Sequence, residues 1–142
     1  DSNSKPMQEN TLLHRQVHPN FLDKEGRPTR QAFNLFPKDE GKLSLYNGEK
    51  WSPEDAYLNH TETLAFKSVG SYSVTPKEIA QVKAELGLCL LQEIEDNNPF
   101  DGHVSVDQLH LTNKEQKAVR SLLLVHAQLR GWTYQQGIDP TP

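Results

Sequence analysis

The sequence has a single cysteine, Cys89, which cannot form an internal disulfide and which we expect to be buried in its apolar run. Because disulfides accumulate in oxidising compartments, this favours a reducing one, and we expect a cytoplasmic protein. Long hydrophobic runs are also missing, whereas a membrane-spanning helix needs about 20 apolar residues. The first residues, DSNSKPMQEN, have neither the basic nor the apolar region of a signal peptide. We therefore expect no membrane association and no secretion signal.

Motifs that would identify an activity are absent as well. The chain has no GxxxxGK[ST] phosphate-binding loop, no GxGxxG dinucleotide-binding turn, no GxSxG nucleophile elbow and no pair of cysteines for a zinc ribbon. We therefore expect no cofactor, and the sequence leaves open whether the protein is an enzyme.

What the sequence does have is enough length for one domain and an uneven distribution of charge. Its 142 residues fit a single domain with one core, since domains usually hold about 100–200 residues. The formal net charge is −4, but residues 51–110 hold ten acidic residues against three basic ones. We predict that five of these acidic side chains form a surface that attracts a basic partner: Glu93, Glu95, Asp96, Asp101 and Asp107.

Three helices are predicted from their N-terminal caps. Three stretches place Ser or Thr at the cap and an acidic residue three positions later: SPED at 52–55, TPKE at 75–78 and TNKE at 112–115. The predicted helices therefore cover 53–62, 76–86 and 113–130.

The last helix has a broad apolar stripe and a basic outer face. At helical spacing, five residues should face the core, with Val119 and Leu123 beside them: Leu111, Ala118, Leu122, Val125 and Leu129. The basic face favours solvent exposure over nucleic-acid binding, because the chain as a whole is acidic.

Between the helices, apolar and polar residues alternate, which is typical of strands. Five such segments are bounded by turn residues, and a further strand precedes them at 12–18: 30–36, 42–48, 65–74, 88–94 and 103–109. The element order β-β-β-α-β-α-β-β-α predicts an α+β fold in a single domain over 11–134. We expect a mixed or largely antiparallel sheet with three capped helices packed on one side. Residues 1–10 and 135–142 are predicted to be flexible tails.

The stretch HRQVH at 14–18 raises the question of a metal site, since histidines four apart share one face of a helix. Pro19 ends this segment after about eight residues, a length typical of a strand rather than of an average helix. In a strand that rises about 3.3 Å per residue, His14 and His18 would lie about 13 Å apart, too far to share a zinc ion. We therefore predict a strand without a metal site.

Arg15 lies between Leu13 and Val17 on the apolar side of that strand, and two interpretations stay open. It lies at a sheet edge, or its fork of donors binds an anion such as a phosphate or a carboxylate. In the second case Arg15 and His18 would bind the ligand.

Two further stretches combine acidic residues with a cation or a histidine. Glu40-x-Lys42 has the arrangement in which metal-dependent nucleases hold a divalent ion, although PKDEGK is also typical of a polar hairpin turn, which we favour. Asp96, Asp101 and His103 lie together in DNNPFDGH, where the spacing does not match an EF-hand and the composition favours a turn.

Our leading hypothesis from the sequence is a small cytosolic interaction protein of bacterial type, accessory, antitoxin-like or immunity-like. It would bind a protein with a basic surface through the acidic residues around 93–107, and a sheet edge that is left unpaired would allow two copies to form a dimer. The alternative is a small enzyme that acts on a nucleotide or nucleic acid. Such an enzyme would bind its ligand through Arg15 and use His14, Glu40 and Lys42 for the chemistry.

Overall fold

The computed structural model describes residues 7–35 and 41–136, which form a six-stranded sheet and three α-helices. The strands are β1 (Leu13–Gln16), β2 (Lys42–Asn47), β3 (Gly70–Val74), β4 (Glu93–Glu95), β5 (His103–Asp107) and β6 (Tyr134–Gln135). The helices are α1 (Pro53–Leu58), α2 (Pro76–Leu86) and α3 (Asn113–Arg130). Two 3₁₀ turns, Pro19–Phe21 and Arg30–Phe33, follow β1, and a π-helical turn, Asn59–Thr63, continues α1.

The sheet has the strand order β4-β5-β2-β1-β3-β6, and every neighbouring pair is antiparallel. The predicted α+β class and the largely antiparallel sheet are therefore confirmed. In the part of the chain that the structure describes, every helix is too short or too polar to cross a lipid bilayer.

The helices begin where their caps predicted. Thr75 and Thr112 form reciprocal capping boxes with Glu78 and Glu115, and Ser52 Oγ accepts a hydrogen bond at the start of α1. Each such cap contributes on the order of 1 kcal/mol to the stability of its helix. The bounds of α2 and α3 match the predictions, and α1 with the π-helical turn covers the first predicted helix.

One face of the sheet is apolar and carries the main core. Alternate strand residues point to this face and pack against α2, α3 and the 3₁₀ turn Arg30–Phe33: Leu13, Leu43, Leu45, Tyr72, Val74, Val104 and Val106. Burial of one such side chain contributes about 1.5–3 kcal/mol. This apolar face therefore supplies most of the energy that holds the fold together.

The opposite face, which we call the polar face, carries serine, histidine and glutamine side chains and is covered in part by α1. Ser71 Oγ donates a hydrogen bond to the carbonyl of Pro53, the first residue of α1, and Ala56 and Tyr57 of this helix are buried. The prediction that the helices share one side is therefore correct for α2 and α3 and wrong for α1. The alternation of apolar and polar residues along a strand predicts two different faces of the sheet. It does not predict which of the two faces a given helix covers.

The strand predicted over 30–36 is wrong for its described part, because the chain forms a 3₁₀ turn at Arg30–Phe33, and residue 36 lies outside the described residues. The Ala32 N–H donates to the carbonyl of Thr29. This hydrogen bond within the turn takes the place of a hydrogen bond to a neighbouring strand. Ala32 and Phe33 are adjacent, and both are buried in the core. The helical geometry lets both side chains reach the core.

The strand predicted over 88–94 is also wrong for most of its length, since β4 occupies only Glu93–Glu95. Leu88 and Leu91 are buried in an irregular segment, whereas Leu90, expected in the core, is 51% exposed. Cys89 lies between the buried positions and is exposed, contrary to expectation. The strand predicted over 65–74 is similarly shortened to β3.

The apolar stripe of α3 is centred differently from the prediction. The residues that α3 buries completely are Val119, Leu123 and Ala127, while Leu129 is 82% exposed. Residues 122–125 are all apolar, so helical spacing alone allows more than one orientation. Packing against α2 and the 3₁₀ turn decides which orientation is adopted.

Chain segments near both ends join the domain. Met7 packs against the core, and the Lys77 N–H donates to the carbonyl of Glu9. At the other end, β6 pairs with β3, and the Gln136 N–H donates to the carbonyl of Val69. The sheet therefore extends beyond residue 134, where the sequence placed the end of the domain.

Candidate functional site

His14 anchors α1 to the polar face. Its Nδ1 lies 2.7 Å from Ser73 Oγ, and its Nε2 lies 3.1 Å from the carbonyl oxygen of Trp51. Burial lowers the pKa of His14 to about 4, so the ring is neutral at pH 7. The carbonyl can only accept, so Nε2 carries the proton and Nδ1 accepts from Ser73. Both ring nitrogens of this predicted catalytic residue are thus engaged in structural contacts.

A second polar network lies beside His14. Gln16 Nε2 donates to Ser71 Oγ at 2.8 Å, and Ser68 Oγ donates to Gln16 Oε1 at 3.0 Å. Because these groups are buried, each lost partner would leave an unpaired polar atom at a cost of about 1–3 kcal/mol. This part of the polar face is therefore rigid.

Next to these networks, a cavity of about 500 Å³ opens on the polar face. Residues of β1, β2 and β5 form its base, and the segment 64–67 after the π-helical turn lines one side. Pro99 and Phe100, from the loop between β4 and β5, line another part, with His18 and Phe21 also in contact. This volume lies in the usual range of small-ligand sites, about 300–1,000 Å³.

His103 of β5 lines this cavity and is held by Asp96. Its Nδ1 donates to Asp96 Oδ1 at 2.6 Å, and Ser105 Oγ donates to Asp96 Oδ2 at 2.6 Å. Burial alone would raise the pKa of Asp96, but the hydrogen bonds from Ser105 and His103 together lower it. Asp96 is therefore ionised at pH 7, which fixes the proton of a neutral His103 on Nδ1 and leaves Nε2 as an acceptor.

The His103 ring has a defined orientation because the neighbouring loop is packed by aromatic residues. Phe100 stacks on Tyr46 with ring centroids 4.5 Å apart and meets the His103 ring edge-on at 5.1 Å. Gly102 has a φ of +86°, and a Cβ there would lie 2.7 Å from Trp51 Nε1. Only glycine fits this turn, which brings Asp96 and His103 together.

Arg15 reaches the cavity through a gap in the sheet. β1 pairs with β2 over only two residue pairs, and beyond them the Arg15 guanidinium donates from Nη1 to the carbonyl of Ser44. Its Nε and Nη2 donate to the carbonyls of Ala32 and Asn34. Three donors thus bind main-chain oxygens, while the residue also lines the cavity. Arg15 therefore joins β2 to the segment of the 3₁₀ turn and is one of the residues that line the cavity.

The other residues of the predicted enzyme centre are not assembled around Arg15. His18 lines the cavity, and its Nδ1 accepts a hydrogen bond from the Asn20 N–H. Lys42 is exposed at the start of β2, opposite Asp107, and is not among the residues that line the cavity. Glu40 lies outside the described residues.

The five predicted partner-binding acids have separate local roles. Glu95 and Asp101 both form salt bridges with Lys50, at 3.1 Å each. Asp107 Oδ1 accepts from the Leu109 N–H, and burial raises the pKa of Glu93. Asp96 faces His103, as described above. Glu95 and Asp101 therefore meet at one lysine, and binding of a partner by these five residues stays a prediction.

In residues 7–35 and 41–136, His, Cys, Asp and Glu form no group of three that could hold a metal ion. No protein family, curated protein or solved structure matches this chain.

The pair Asp96 and His103 lies within one short stretch of the sequence, DNNPFDGH. For Asp96, Asp101 and His103 in DNNPFDGH, the composition predicts a turn rather than a binding site. The turn is present, and it joins β4 to β5 so that Asp96 and His103 face each other. Asp101 points elsewhere, to Lys50.

Proposed function

We propose that this protein is a small enzyme that binds a small molecule in the polar-face cavity and uses His103 as a general base. The single observation that carries the proposal is the Asp96–His103 hydrogen bond beside a cavity of ligand size. This keeps the enzyme alternative suggested by the sequence, but it moves the chemistry from Glu40 and Lys42 to His103.

The proposed step is a proton transfer. His103 Nε2 accepts a proton from a water molecule or from a hydroxyl group of the ligand, and that oxygen becomes the nucleophile. The Asp96 carboxylate stabilises the imidazolium that forms and holds the ring in the required tautomer. In the reactions that fit this step, hydrolysis of an ester or transfer to an internal hydroxyl, the new bond to the nucleophilic oxygen replaces the bond to the ester's leaving oxygen, which takes the proton back from the imidazolium.

The test is turnover by the wild type and by His103→Asn. The asparagine amide can still donate to Asp96 from nearly the position of Nδ1, but it has nothing at Nε2. We expect turnover to fall by about 10²–10⁴-fold, the range that general-base catalysis supplies. Substrates are 4-nitrophenyl acetate, 4-nitrophenyl phosphate and bis(4-nitrophenyl) phosphate. The matched control is His110→Asn, at an exposed histidine outside the cavity lining. Equal turnover in His103→Asn, or none by the wild type, would contradict the proposal.

A second candidate function is the interaction with a basic protein that the acidic residues suggested, and the free edge of β4 favours it. β4 is the last strand of the sheet, and its central residue Ile94 is 54% exposed. An edge strand offers unpaired main-chain groups to another strand. An antiparallel pair of two β4 strands centred on Ile94 would oppose Glu93 to Glu95, which disfavours the homodimer and favours a basic partner.

This interaction is tested by capture of partners from lysate of the protein's host at low and moderate salt. We expect one stoichiometric basic protein, released as salt rises, and loss of that protein when Glu93 is changed to Lys. Retention by Glu93→Lys with unchanged salt dependence would contradict this candidate.

A further inference from the structure

The cavity has a consistent sign of charge. Arg15 and Lys67 carry permanent positive charges, and both line the cavity together with the histidines His18, His60 and His103. Among the described lining residues there is no aspartate or glutamate, since Asp96 lies behind His103. Lys67 is exposed, and no carboxylate in the described part of the chain pairs with it. Because the charged residues of the lining are positive, the cavity favours an anionic ligand over a neutral or cationic one.

The cavity also has aromatic surfaces on separate chain segments. Phe100 is fixed by its stacking on Tyr46, and Phe66 lines the cavity from the segment after the π-helical turn. Phe21 adds a third aromatic ring. Aromatic side chains of this kind bind planar rings by stacking, with little dependence on the identity of the ring.

From these two features we propose that the cavity binds a planar aromatic ring that carries an anionic group, with the size and chemistry of a nucleoside monophosphate. This inference rests on the proposed function, because it assigns a ligand class to the same cavity. The ring would stack on Phe66 and Phe100, and the phosphate would lie toward Arg15 and Lys67. A cavity of about 500 Å³ holds a mononucleotide but not a duplex nucleic acid.

The experiment measures binding of AMP, UMP, adenosine and inorganic phosphate by isothermal titration calorimetry at low salt. We expect both nucleotides to bind, and adenosine and phosphate to bind at least about tenfold more weakly, since each supplies only half of the recognised features. Two-dimensional NMR spectra of the labelled protein locate the site, with shifts expected at His103, Phe100 and Lys67. Failure of both nucleotides to bind at millimolar concentration would overturn the proposal.

Two variants separate the charge from the stacking. Lys67→Glu should weaken AMP binding by on the order of tenfold and leave adenosine binding unchanged. Its matched control is Lys114→Glu, which makes the same change of charge at an exposed lysine on α3 outside the cavity. Phe66→Ala should weaken AMP and adenosine alike, by about tenfold, through the lost stacking surface. An equal loss of AMP affinity in Lys67→Glu and Lys114→Glu would mean that the change in net charge, and not a contact in the cavity, weakens binding. That result would overturn the proposed site.

The results distinguish failure of this inference from failure of the proposed function. If nucleotides do not bind but His103→Asn abolishes turnover of a nitrophenyl ester, the ligand class is wrong and the general base remains. If AMP binds with the expected dependence on Lys67 but turnover does not depend on His103, the cavity is a nucleotide-binding site without the proposed chemistry.

Discussion

The two faces of the sheet differ in the side chains that they carry and in how fully the helices cover them. On the apolar face, α2 and α3 cover the strands with fully buried aliphatic side chains such as Leu13 and Leu123. On the polar face, the same strands present His14, Gln16 and His103, and α1 covers only part of the area. The alternation of one strand thus supplies both a core and a hydrogen-bonding surface.

This difference shows how a small domain can combine a stable core with polar groups held in fixed positions. Hydrophobic burial is nearly independent of direction, so the apolar face tolerates varied side chains of similar volume. Hydrogen bonds are directional, and those of the polar face fix individual atoms, such as His103 Nδ1 against Asp96. Stability therefore depends mainly on the first face and geometry on the second.

The largest effect is expected on the apolar face. Leu123→Ala should lower the free energy of unfolding by about 2–5 kcal/mol, because it removes buried methyl groups and leaves a cavity between α3 and the sheet. Leu129→Ala is the matched control on the same helix and should change the free energy by less than about 0.5 kcal/mol, since Leu129 is exposed. Urea denaturation measures both, and similar losses would show that the stripe predicted from sequence is the buried one.

An intermediate effect is expected from His14 as the pH falls. The unfolded chain binds a proton at this histidine below about pH 6.5, whereas the folded protein binds it only near pH 4. Stability from His14 is therefore complete above pH 6.5 and declines toward pH 4, by about 3 kcal/mol at most.

Denaturation at several pH values, with the wild type and His14→Gln, measures this contribution. The variant is expected to be less stable at pH 7 but to have a flatter profile between pH 6.5 and 4. Parallel profiles would mean that other groups cause the acid sensitivity and that His14 is not buried in its neutral form.

The smallest effect is expected at the cavity. Asp96→Asn should lower stability at pH 7 by about 1 kcal/mol, because it weakens the bonds from His103 and Ser105. The lowered pKa of Asp96 means that this contribution is present at neutral pH and is lost as the pH falls through the folded-state pKa. Asp101→Asn, at an exposed carboxylate paired only with Lys50, should cost less than about 0.5 kcal/mol. A larger loss for Asp101 than for Asp96 would reverse the assigned roles.

The helices were predictable because their information is local. A threonine and a glutamate three residues apart form the capping box within one turn, whatever lies elsewhere in the chain. Strands β2 and β5 were also predictable, since their alternation is long enough to show two faces. The segment 30–36 has the same alternation in letters, but in its described part local bonds form a 3₁₀ turn at Arg30–Phe33 instead.

The candidate site was only partly predictable. Arg15 and His18 were proposed to bind a ligand, and both line the cavity, although their role there stays a prediction. The importance of His103 was missed because a histidine near an aspartate in a loop has many possible orientations. Its partner Asp96 was assigned instead to a surface for protein binding.

By itself, the sequence determined the fold class, the helix bounds and the presence of a strand at HRQVH, because caps and side-chain alternation act over a few residues. Only the tertiary structure decided which face of α3 is buried, where α1 packs and what lies beside His103. These depend on contacts between residues far apart in the chain, as between Arg15 and Ser44 or His14 and Ser73. Such contacts form only when packing of the apolar face brings the strands together, and the cavity is a product of that packing.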